Sequence, residues 1–196
     1  MSPLTPHGEI WQWALGRRID DPNFDESLRR GLQLLLDDVP DLHQGFSLVP
    51  DAVSETVVKV VLYNDQTQHT WPGLRPPSPS DPGRFHAYQG KLPGDANWNM
   101  TARDVGAVFR GPNQVSGFVE IPMPPGMTFA YNIGPPGKII YELRVEFWAL
   151  TARDLPNALI RSIEIRAGRD YRPVGDAIMT RSSNQTDWTW KPSPAI

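Results

Sequence analysis

Apolar and polar residues alternate without a break from position 137 to position 150. Ile139, Tyr141, Leu143, Val145, Phe147 and Ala149 fall on one side, and Ile140, Glu142, Arg144, Glu146 and Trp148 on the other. A period of two predicts a strand with one face on a core and one toward water. Its aromatic and branched residues suit a pleated surface, and its length predicts a central place in a sheet. The Val-rich stretch 55–63 reads as a buried strand. Shorter strands are predicted at 84–88, 104–110, 114–121, 127–132, 159–165 and 176–180, separated by Pro/Gly turns. Residues 187–190 are expected to pair at an edge or to lie across the surface.

The helical period appears only near the start. Thr5-Pro6 is a cap followed by a first-turn proline. Ile10, Trp11, Ala14 and Leu15 follow at helical spacing, and Gly16 ends the run. Trp11 and Trp13 fall on different sides of such a helix. Two readings follow: a helix packed on the domain, or an arm whose indoles dock on another molecule. Asp21-Pro22 repeats the start signal, and Phe24, Leu28, Leu32, Leu35, Leu36 and Val39 form one stripe that Pro40 stops. That stripe predicts a core-facing helix. Together these patterns predict an α+β fold, N-terminal helices packed on a mostly antiparallel β-sheet or sandwich. The expected division is an N-terminal helical arm at 1–20 and a single α+β domain at 21–196.

Composition sharpens the picture in one place. Pro (21) and Gly (16) are in excess, so many turns and long loops are expected. The longest begins after residue 63. Within it Trp71 and Leu74 stand among Pro72, Pro76, Pro77, Pro79 and Pro82, which exclude regular structure and favour an extended, stiff backbone. Pro76-Pro-Ser-Pro79 has the spacing read by proline-binding partners. Trp11, Trp13, Trp71, Leu74, Pro76, Pro77 and Pro79 are therefore the candidate protein-interaction residues.

Charge excludes some classes. The net charge is −3, which argues against a general nucleic-acid or anionic-membrane binder, and no sequence-specific nucleic-acid partner is expected. Residues 1–50 carry four Arg against eight acids, whereas residues 137–181 carry eight basic groups against six acids. Solvated faces account for this, with head-to-tail association as the alternative. With no Cys, disulfides, thiol catalysis and thiolate metal sites are ruled out. No stretch approaches the ~18 apolar residues of a membrane span, and no secretory signal is expected.

Chemistry is sparse. His7, His43, His69 and His86 lack the spacing of a metal pair. No nucleophile elbow, dinucleotide fingerprint or Walker loop occurs. In Gly134-Pro-Pro-Gly137 the prolines remove the amides a phosphate nest needs. Glu142 and Glu146 lie four strand residues apart, about 13 Å, beyond the ~5–9.5 Å of paired glycosidase carboxylates. With Arg144 between them they read as a solvated, balanced face. Arg153, Arg161, Arg166, Arg169 and Arg172 read as surface charge balanced by Asp154, Glu164 and Asp170. Thr101-Ala-Arg-Asp104 recurs as Thr151-Ala-Arg-Asp154 with unmatched flanks; it reads as coincidence rather than a repeat, each Asp capping a local turn. No catalytic residue, cofactor or metal ligand is expected.

One resemblance adds to this. Phe129-Ala-Tyr-Asn-Ile-Gly134, followed by Gly137-Lys-Ile-Ile-Tyr-Glu-Leu-Arg-Val-Glu-Phe147, resembles a segment of rhabdovirus matrix proteins, where an aromatic-Asn-Ile-Gly turn leads into a Gly-x-Ile-x-Leu strand. His86-Ala-Tyr-Gln-Gly-Lys-Leu-Pro93 is loosely similar to the piece before it, so the resemblance spans roughly residues 86–147. It implies a non-enzymatic, self-assembling viral structural protein that forms a layer linking nucleocapsid and envelope, and drives budding. The implied partners are further copies of the chain, the viral nucleoprotein and, peripherally, the membrane. The implied locations are the virion and the host cytoplasm. Those proteins open with a Lys-rich arm carrying a late motif, where this chain opens acidic. The alternatives are a monomeric β-sandwich interaction or ligand-binding module with no viral role, which would be cytoplasmic, and an enzyme of a class without a short motif.

Overall fold

The structure, a computed structural model, describes residues 10–22, 24, 26–29, 31–32, 45–64, 87–109, 114–117, 127–149, 151, 153–172, 178–181 and 188–191. Eight strands occur among them: β1 Phe46–Pro50, β2 Val57–Tyr63, β3 Gln114–Gly117, β4 Met127–Ile133, β5 Tyr141–Phe147, β6 Ile160–Ala167, β7 Ile178–Arg181 and β8 Trp188–Lys191. The first six form one sheet in the order β1-β2-β6-β5-β4-β3, and β7 and β8 pair with each other. Every strand pairing is antiparallel. The predicted long strand is β5, and it lies inside the sheet between β6 and β4. Its predicted apolar face is the buried one: Leu143, Val145 and Phe147 are in the core with Val60 and Leu62 of β2 and Ile163 and Ile165 of β6.

The expected α+β architecture is overturned; the described chain is mainly β. Its helices are α1 Ile10–Ala14, α2 Glu26–Arg29 and α3 Ala102–Val108, of five, four and seven residues. α1 ends before Gly16, which takes φ 75, as its spacing predicts; tertiary pairing overrides helical spacing after α2. After α1 the backbone turns to run beside the start of β2: Gly16 N donates to Val57 O, and Val57 N to Arg17 O. After α2 the chain reaches Gly31, where any Cβ would stand 2.6 Å from the Phe46 ring. Gly31 O then accepts from Leu48 N at 2.7 Å, which lays residues 31–32 along the edge of β1. Phe24, Leu28 and Leu32 are buried as their stripe predicts, but the helix is one turn long. Leu35, Leu36 and Val39 lie outside the described residues.

Residues 104–110, read as a strand, instead fall largely in α3. Thr101 and Asp104 form a reciprocal capping box, with Thr101 N donating to Asp104 Oδ2 at 2.9 Å and Asp104 N to Thr101 Oγ1 at 3.4 Å. In the second copy of the tetrapeptide Thr151 Oγ1 donates to Asp154 Oδ2 at 2.6 Å, but Pro156 follows and only a 3₁₀ turn, Leu155–Asn157, forms. The two copies make the same local turn and different elements.

Candidate interaction surface

The face of the sheet opposite the core is built from the alternate residues of each strand. Its rows run across the sheet as Val49, Lys59, Arg166, Glu142, Asn132 and as Ser47, Val61, Glu164, Arg144, Ala130. Glu164 stands amid three cations: Arg166 at 2.7 Å, Lys59 at 3.4 Å and Arg144 at 4.0 Å. Glu146 takes Arg161 at 2.7 Å and the Ser162 hydroxyl at 3.0 Å. The balanced face expected around Glu142, Arg144 and Glu146 is thus present; its ion pairs cross between strands except Arg166–Glu164, which lies within β6. Tyr63 shares a 3.1 Å hydrogen bond with Ser47 on this face, and burial pushes its phenol above the ordinary range. Among the described residues no group of three metal-ligating side chains converges. The four histidines lie outside them.

The β1–β2 hairpin carries the most exposed apolar side chain among the described residues that its surroundings hold in place. Val53 at its tip is 92% exposed. The tip is pinned from within. Asp51 Oδ1 accepts from Val53 N at 3.1 Å and Ser54 N at 2.8 Å, and those amides hold its carboxyl below the usual carboxylate value. Ser54 and Thr56 share a hydroxyl bond of 2.7 Å. Glu55 sits at φ 54, and its carboxylate meets Arg18 at 3.0 Å while its carbonyl accepts from Ile19 N at 2.9 Å. Bonds within the loop and to residues 18 and 19 fix the hairpin end, so the valine is presented on a stiff mount.

At the base of the same hairpin lies a groove of about 490 Å³. Val49, Val58, Lys59, Glu142, Arg166 and Tyr171 are among its walls. Val58 is 44% exposed. The Tyr171 hydroxyl is spent on the backbone, donating toward Leu15 O at 2.9 Å and Gln12 O at 3.2 Å. A smaller cleft of about 230 Å³ opens beside Trp11, Tyr141, Leu92 and Pro93.

The interaction residues expected from the sequence are not brought together here. Trp11 and Trp13 are 5% and 1% exposed. The helix that holds them is walled on two sides, which is how both indoles escape water. Trp11 packs edge-on to Tyr141 at 5.1 Å and donates Nε1 to Lys91 O at 3.1 Å. Trp13 lies 5.0 Å from Phe24, under the Arg17 guanidinium. Neither indole offers docking area. Trp71, Leu74, Pro76, Pro77 and Pro79 lie outside the described residues. Val53 carried no signal in the sequence, and Val58 fell within the stretch 55–63 that reads as a buried strand.

Among the described residues no helix is long and apolar enough to cross a membrane. Comparison with protein-family models, with curated proteins and with solved structures finds no match.

Proposed function

We propose that this chain is a non-enzymatic structural protein that assembles with copies of itself, of the viral matrix kind that residues 86–147 resemble. In that role it links nucleocapsid to envelope through surface contacts, in the virion and the host cytoplasm. The observation that supports self-assembly is the β1–β2 hairpin, which holds Val53 rigidly in full exposure. An apolar side chain on a stiff mount loses little freedom when a partner covers it, so its burial contributes to association. The balanced charges of the sheet face keep like charges from opposing that contact.

Sedimentation velocity across a range of concentrations at low salt tests the reading. Mass should rise with concentration. A chain that stays monomeric throughout would remove self-assembly. Pelleting with anionic vesicles tests the envelope half separately, and no binding would leave only the protein–protein half. A second reading, a monomeric module that takes a small ligand, is favoured by the cleft of about 230 Å³ lined by Tyr141, Ile133 and Pro93; it predicts a monomer whose melting point rises with small aromatic compounds.

A further inference from the structure

We draw no further inference here: the strongest candidate, the groove of about 490 Å³ beside the β1–β2 hairpin, carries nothing, because nothing in the structure shows what would dock on it.

Discussion

Replacing Tyr131 with Phe removes one oxygen from the core, and the structure argues that this stabilises the protein. Tyr131 is 2% exposed on the core face of β4, and its hydroxyl has no hydrogen-bond partner among the described residues. Its ring packs 5.0 Å from Phe109 and 6.2 Å from Phe129, contacts that a phenylalanine keeps. Burying a hydroxyl without a partner costs about 1–3 kcal/mol in proteins. The oxygen leaves at most one water's worth of void, ~10–15 Å³, and at ~24 cal/mol per Å³ that penalty is only ~0.3 kcal/mol. The net expectation for Tyr131→Phe is a gain of about 1–2 kcal/mol, read as a higher urea midpoint at unchanged slope. For a chain of this size each kcal/mol moves the melting point by about 2–4 °C. Alkaline titration supplies an independent readout. Burial pushes the Tyr131 phenol above its ordinary value of 10. The folded state therefore keeps a proton that the unfolded state gives up. This contribution is complete below about pH 10 and drains away as the pH climbs toward the raised folded value. The variant should lose that part of the alkaline decline, while Tyr63, raised for the same reason, keeps its own. A variant less stable than wild type by more than about 1 kcal/mol would mean the hydroxyl is bonded, and the reasoning would be wrong.

Other perturbations test the joints of the fold. Gly168→Ala places a Cβ 2.3 Å from Ile139 O and should lower stability by about 1–3 kcal/mol; an unchanged urea midpoint would show that the two segments are not held this close. Thr101→Ala removes the cap of α3 and should cost about 1 kcal/mol, whereas Thr151→Ala, which precedes only a 3₁₀ turn, should cost less; equal losses would count against the capping box. The Asp170 carboxyl is held below its ordinary value of 3.8, chiefly by the Ile139 amide at 2.8 Å and then by Arg169. Its stabilisation is present above that ordinary value and is lost as the pH falls through the lowered one, so Asp170→Asn should make the acid limb of the stability curve shallower. An acid limb of unchanged steepness would exclude that role.

How much of this was legible in the sequence depended on the range of the forces involved. Alternation in β5 identified both of its faces, because each side chain's direction is set by the backbone period alone. β2, read as a buried strand, instead mixes buried residues with partly exposed ones, Val58 being 44% exposed. The turn at Thr101 was legible as a cap, but Val105, Val108 and Phe109 favour a strand by propensity, and the capping box that decides for a helix is a two-residue signal among seven. β1 was missed. Phe46-Ser-Leu-Val-Pro50 is short and ends on a proline, and its strand character comes from pairing with β2. The N-terminal stripe was right about the burial of Phe24, Leu28 and Leu32 and wrong about an unbroken helix there, since Gly31 must pass under the Phe46 ring. For the interaction surface, residue type misled. Tryptophan is a good interface anchor in general, but here Tyr141 and Lys91 on one side and Phe24 on the other enclose both indoles. Exposure of Val53 follows from where the hairpin ends, which no local pattern encodes.

The pairing of β2 with β6 sets the order in which the protein can fold as it is made. Lys59 faces Arg166 across that ladder, so more than a hundred residues of chain separate partners at the middle of the sheet. Asn64 repeats the link, donating Nδ2 to Ile160 O at 2.7 Å while its own amide donates to Arg161 O at 3.0 Å. The β1–β2 hairpin therefore leaves the ribosome long before its neighbour exists, with Phe46, Leu48, Val60 and Leu62 awaiting a core. Strands β3 to β6, by contrast, pair each with the next in sequence and can close locally. The sheet can therefore be completed only once β6 has been made, and a chain halted before β6 leaves β2 without its partner strand.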